Sequence, residues 1–214
     1  MNYKSINTDN FEEKIFEFIF EYEKTKKNLN ILEFGVREGR STKLFLDLCR
    51  SNSGKLLSVD VDDYSKLFND KNWTFLKTRD DNINKITKFI NSKFDIILID
   101  SFHEPNHVKK LIYMYWPHLK VDGSMYIDDI SWLPYLKDNW RDHKYTEKIN
   151  YETFQKILEV FNSNNDNFLL DFNFRDSGMA RLIKKSNQTL KEPKKIKMRN
   201  SFIKSLLKNF KSFL

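Results

Sequence analysis

Between residues 30 and 130 the chain alternates short apolar runs with stretches of helical period. Asn30–Phe34, Leu56–Val61, Thr74–Thr78, Phe94–Ile99 and Ser124–Ile127 predict strands, and Ser41–Arg50, Ile83–Asn91 and His107–Trp116 predict helices. Phe94–Ile99 is almost continuously apolar, as expected of a central strand covered on both faces. Upstream, Asp9 and Glu12 resemble a capping box, with Phe11, Ile15, Ile19 and Tyr22 following at helical spacing. That pattern predicts an amphipathic helix over about residues 10–26. Downstream, Tyr151–Phe161 predicts a helix, and Phe168–Phe174 and Met179–Lys184 around Arg175-Asp-Ser-Gly178 predict a hairpin. The alternation implies an α/β fold, a doubly wound and mostly parallel sheet with helices on both faces.

Such sheets bind ligands at the carboxyl ends of their strands. Acids and glycines gather at those ends: Glu33 and Gly35, Asp60, Asp80, Asp100, and Asp128 with Asp129. The first of them belongs to Ile31-Leu-Glu-Phe-Gly-Val-Arg-Glu-Gly-Arg-Ser-Thr42, a strand turning tightly into a helix. Gly35 and Gly39 permit backbone conformations and close ligand approach that a side chain would block. The helix start beyond them presents unpaired N–H groups. A dinucleotide fingerprint needs glycine where Arg37 stands, and no phosphate-binding G-x-x-x-x-G-K-[ST] run exists. What remains is E-x-G-x-x-x-G after a first strand.

Composition narrows the partners. Two hundred and fourteen residues, 40% hydrophobic and with 19 Phe, suit one globular domain with a full core. The formal charge is +7, but residues 184–214 hold ten Lys/Arg and one acid, so residues 1–183 sum to −2. A near-neutral body with a basic tail argues against nucleic acid as the partner. The lone Cys49 excludes an internal disulfide and a cysteine-built zinc site, and reads as a buried core thiol. With no secretory pattern and no apolar stretch of about 20 residues, a cytoplasmic location is expected. In the tail, Phe202, Ile203, Leu206, Leu207, Phe210 and Phe213 fall at helical spacing with lysines off that face. Residues 191–214 therefore read as a basic amphipathic helix, for the inner face of a membrane or for packing on this domain or on a second copy in a homo-oligomer.

The E-x-G-x-x-x-G loop resembles motif I of the class I S-adenosylmethionine (SAM) dependent methyltransferases, and the resemblance extends over residues 30–184. It implies their Rossmann-like sheet with a C-terminal antiparallel hairpin, and SAM as cofactor. Glu33 would face the methionine end of SAM beside Gly35, Gly39 and Ser41. Asp60 would accept hydrogen bonds from both ribose hydroxyls. Asp80 or Asp81 would reach the adenine amino group, or else cap the next helix.

The pattern Asp100-Ser-Phe-His103 with Asp128-Asp129 resembles the metal-dependent O-methyltransferases of sugar and macrolide tailoring, the macrocin O-methyltransferase kind. In that resemblance Asp100, Asp128 and Asp129 hold Mg²⁺, since converging carboxylates repel unless they share a cation or a proton. His103 would be the general base, and Asp100 would also lie beside SAM. Ser101 stands where the family more often has glycine. The expected activity is O-methylation of a hydroxyl on a small molecule, a sugar or glycoconjugate, with Mg²⁺ assistance. Its alternatives are a metal-independent enzyme using His103 alone and a catalytically silent scaffold. The organisation expected is an N-terminal helix (1–29), the methyltransferase domain (30–184) with an aromatic lid (131–150), and the basic tail (185–214). Trp132, Tyr135 and Trp140 would be the sugar-stacking side chains of the lid. His107, His118 and His143 read as surface or packing residues.

Overall fold

The computed structural model describes residues 10–130 and 144–196. A seven-stranded sheet runs in the order β3-β2-β1-β4-β5-β7-β6. Its strands are β1 (Asn30–Phe34), β2 (Lys55–Asp60), β3 (Trp73–Lys77), β4 (Phe94–Ile99), β5 (Leu119–Asp128), β6 (Phe168–Asn173) and β7 (Met179–Lys184). β1 to β5 are parallel, and β7 enters antiparallel between β5 and β6. The expected fold class is therefore the observed one. The order reverses between β1 and β4, which places the ligand crevice beyond the ends of those two strands.

Helices cover both faces because successive strand residues point to opposite sides. Ile31, Ile96, Leu98 and Tyr126 meet the N-terminal helix α1 (Asn10–Ile15, continued to Glu23) and α2 (Arg40–Asn52) on one face. Leu32, Ile97, Ile99 and Met125 meet α3 (Ile83–Ile86), α4 (Pro105–Tyr115) and α5 (Lys144–Asn164) on the other. Cys49 is buried in the α2 core, and burial pushes its thiol up to about 12.

Four elements depart from expectation. α1 runs Asn10–Ile15, passes through a π-helical turn at Phe16–Phe20 and ends at Glu21–Glu23. The inserted π turn breaks the α phase, so Glu23 turns inward while Tyr22 is left exposed. The helix expected over Ile83–Asn91 is a single α turn followed by a 3-10 turn at Thr87–Phe89, with Ile86 its buried anchor. β5 begins five residues early, absorbing Asp122 at φ 61° and a register shift opposite Phe94–Ile96, with Lys120 paired to Asp95 at 2.8 Å. α5 begins at Lys144 rather than Tyr151, which takes residues 144–150 out of the expected lid.

Residues 131–143, with Trp132, Tyr135, Trp140 and His143, lie outside the described residues, as does the tail from 197. The part of the tail that is described is strapped to the domain. Leu190 enters the core, the Tyr113 hydroxyl donates to the Lys191 carbonyl at 2.6 Å, and the Lys191 amide donates to Asn164 Oδ1 at 2.7 Å. Among the described residues no helix is long and apolar enough to cross a membrane.

Candidate active site

The turn after β1 is pressed against the end of β4. Gly35 sits at φ 91°, and a Cβ there would lie 1.9 Å from the Asp100 carbonyl oxygen. The Asp100 amide donates to the Phe34 carbonyl at 2.9 Å, and the Gly35 amide to the Val59 carbonyl at 3.0 Å. Gly39, at φ 75°, is the N-cap of α2 and supplies no side-chain cap. The first-turn amides of that 13-residue helix thus start beside the crevice, where a helix N-terminus favours negative charge.

Glu33 lies beside Ser41, inside the fold. It is fully buried and absent from the pocket wall. Its carboxylate accepts from Ser41 Oγ (2.6 Å), Thr42 Oγ1 (2.8 Å) and Ser58 Oγ (2.6 Å). Burial pushes it up to about 7 against those three donors. Ser41 does line the pocket. With its proton committed to Glu33, its oxygen offers the pocket an acceptor. Glu33 therefore holds Ser41 from behind the pocket wall.

Two adjoining hollows share Gly35, Arg37, Asp100 and Ser101. One, about 520 Å³, is walled by Asp60, Tyr64, Asp80, Phe102 and His107. Asp60 Oδ2 accepts from the Val36 amide at 2.8 Å, and Oδ1 from the Asp62 amide at 3.0 Å. One carboxylate thus braces the glycine loop and still borders the cavity. Asp60→Ala should weaken S-adenosylhomocysteine (SAH) binding by about 10- to 100-fold, since an ionic hydrogen bond is worth about 1.5–3 kcal/mol. Isothermal titration reads this, and unchanged affinity would remove Asp60 from the site.

Of the adjacent acids, Asp80 borders the cavity and Asp81 turns outward to Arg79 and Lys110, which hold it well below the usual carboxylate range. Asp80 is bound by Ser101 Oγ at 2.5 Å and by His107 Nε2 at 2.9 Å. His107, expected as a surface or packing residue, is packed against Asp80 and lines this hollow. Glu104 caps α4 by accepting from the His107 amide at 2.7 Å, with Pro105 at the first turn. That Glu-Pro start is a legible helix signal, and it brings His107 into the first turn facing Asp80.

The second hollow, about 650 Å³, is lined by Asp100, His103, Asp128, Asp129, Asp176 and Ser177, among others. His103 Nε2 lies 3.4 Å from Asp100 and 3.5 Å from Asp129. Burial alone would lower its pKa. The hydrogen bond to Asp100 and the charges of Asp129, Asp100 and Asp128 outweigh burial and raise it to about 9. Asp128, the last residue of β5, lines the same hollow but is held by a different partner. Its Oδ1 receives the Lys14 ammonium at 2.5 Å, and the same ammonium donates to Ser177 Oγ at 2.8 Å and pairs with Asp176 at 3.7 Å. Asp129, at φ 58°, pairs with His103 instead. Burial works against the Lys14 charge, but Asp128, Asp176 and Asp129 raise its pKa above the ordinary value, so it stays a cation. The three carboxylates expected to gather do share one hollow, where Asp100 and Asp129 flank His103 and Asp128 is paired with Lys14. No group of three or more His, Cys, Asp or Glu among the described residues is arranged to hold a metal.

Residues 32–130 match the sequence model of a family described as a methyltransferase domain. Over that stretch the chain is similar to a methyltransferase domain, and its sheet has the class I SAM-dependent methyltransferase fold. Within the class it resembles the MycE group. MycE from the mycinamycin biosynthetic pathway, solved with Mg, SAH and mycinamycin VI, superposes with a TM-score of 0.59 at 16% identity, over 83% of this chain and 50% of that one. The chain thus spans about half the length of MycE. A candidate caffeoyl-CoA O-methyltransferase from Staphylococcus aureus matches with TM-score 0.61 at 16% identity, over 84% and 85%. The SAH-bound Podospora anserina methyltransferase PaMTH1 matches with TM-score 0.60 at 11% identity, over 86% and 81%. No curated protein matches the chain by sequence.

Proposed function

We propose that this chain transfers the methyl group of SAM to a hydroxyl of a small molecule, with a sugar or glycoconjugate as the acceptor class. The observation that carries this reading is His103 Nε2 standing between Asp100 and Asp129, in the hollow that also holds Gly35 and Ser41. SAM would lie over the glycine loop, its adenosine toward Asp60 and Asp80 and its methionine end toward Ser41. The acceptor hydroxyl would come to His103. Its oxygen attacks the methyl carbon in line with the sulfonium. The C–O bond forms as the C–S bond breaks, the hydroxyl proton passes to His103 Nε2, and SAH leaves as a neutral thioether. The chain's contribution is positioning and a placed base. The arriving sulfonium opposes the imidazolium charge and so lowers the His103 pKa toward the working range.

MycE has been solved with Mg. The donor set here does not match that metal in the way expected, because Asp128 is held by Lys14. No step is routed through magnesium. Against the silent-scaffold alternative stand the side-chain-free Gly35 turn and an Asp60 that braces it at the cavity wall.

The test is calorimetric titration of SAH, followed by label transfer from radioactive SAM to a panel of glycosides, catechols and RNA. SAH binding with transfer to a glycoside hydroxyl supports the proposal. Transfer to catechol or RNA alone would replace the acceptor class, and absent SAH binding would remove the function.

A further inference from the structure

We propose that Lys14 is the resident cation of this site, its ammonium standing at Asp128 where a divalent metal would otherwise bind, so that the chain works without magnesium. This rests on the methyltransferase reading of the site. Lys14 is fully buried although it is a lysine from a surface helix. A buried charge is kept only where partners compensate it, and removing one partner is strongly destabilising. Its partners come from two separate parts of the sheet: Asp128 at the end of β5, and Ser177 with Asp176 in the β6–β7 turn. All three of these residues line the hollow that holds His103, whereas Lys14 does not. Lys14 therefore acts through them, as a positioning residue.

The local fold is arranged to deliver that side chain. Lys14 and Glu23 are nine positions apart, about two and a half turns of a regular α-helix, which would put them on opposite sides. Both are buried, and Glu23 accepts from the Tyr126 hydroxyl of β5 at 2.8 Å. The π turn at Phe16–Phe20 lies between them and changes the helical phase. Arg181 of β7, stacked 4.7 Å from the Phe18 ring and 3.9 Å from the Tyr22 ring, clamps the same helix from the sheet. Of the expected ligands, Asp100 and Asp129 lie 3.4 and 3.5 Å from His103, while Asp128 is occupied by Lys14. The magnesium set is thereby broken by the chain's own residue.

The experiment is a titration of the full chain with Mn²⁺ alone, read by loss of the free Mn²⁺ electron paramagnetic resonance signal. It would use wild type, Asp128→Asn, Lys14→Ala and Lys14→Ala/Asp128→Asn, with SAH affinity measured on each. Wild type is expected to bind no Mn²⁺ specifically. Lys14→Ala is expected to gain a site about 10- to 100-fold tighter than any wild-type binding, the range over which neighbours of a metal ligand tune affinity. Asp128→Asn should abolish the gained site. A purely structural lysine would give no such gain, so a folded Lys14→Ala that binds no Mn²⁺ overturns the proposal. So does stoichiometric wild-type binding lost in Asp128→Asn, a comparison that decides the matter even if Lys14→Ala does not fold. SAH binding in wild type separates this outcome from failure of the methyltransferase reading itself.

Discussion

His103→Gln should lower the methyl-transfer rate by about 10²- to 10⁴-fold, the usual contribution of a placed general base, while leaving SAH affinity unchanged. The split between rate and binding is the informative part. His103 lines the hollow shared with Ser41 at its Asp100–Asp129 end, apart from the Asp60 and Asp80 wall, so its loss removes proton transfer and leaves the adenosine-side contacts in place. Wild type should also show a pH profile set by this group. With its pKa raised to about 9, the free enzyme holds His103 as imidazolium at neutral pH. A base must be neutral, so kcat/KM for SAM should rise as pH climbs toward about 9. The profile of kcat should turn at lower pH, because bound SAM carries a sulfonium. Stability runs the other way. The pKa is raised above its unfolded value, so the stabilising charge is fully present below about 6.5 and is lost as pH rises through about 9. Wild-type turnover in His103→Gln, or a flat pH profile, would remove His103 as base.

The second large effect belongs to Gly35. Gly35→Ala must adopt φ 91° with a Cβ aimed at the Asp100 carbonyl oxygen, 1.9 Å away. The left-handed conformation costs about 1–2 kcal/mol, and the overlap adds about 1–3 kcal/mol or more. Backbone, unlike a side chain, has no other rotamer to move into. Against a total stability of about 5–15 kcal/mol, urea midpoints should fall sharply and SAH binding should be lost. Gly39→Ala is the matched control. It too has positive φ, at 75°, but its Cβ meets the ends of the Leu67 and Phe68 side chains, which can swing away. Equal destabilisation of the two variants would contradict the argument.

Much of this architecture was legible along the chain. β1, β4 and β7 fall on the residues expected, because apolar runs bounded by acids and glycines are strongly patterned segments. The placement of Gly35, Asp60, Asp100 and His103 at strand ends followed from parallel topology, since strand order sends successive loops to one edge of the sheet. Helix detail was less legible. The phase of α1 depends on a π turn that local propensity does not announce, so the stripe ending in Tyr22 missed Lys14 and Glu23. Both are charged residues, and hydrophobic periodicity assigns charges to solvent by construction.

Thus the linear pattern determined the sheet, its switch point and the loop glycine that only a missing side chain accommodates, because those rest on local propensity and on chain connectivity. Only the tertiary structure decided which carboxylates meet. It buried Glu33 behind Ser41, paired Asp80 with His107, and gave Asp128 to a lysine 114 residues away. Charge pairing depends on distances of a few ångströms between side chains from distant elements, and nothing in residue order encodes those until the sheet has formed.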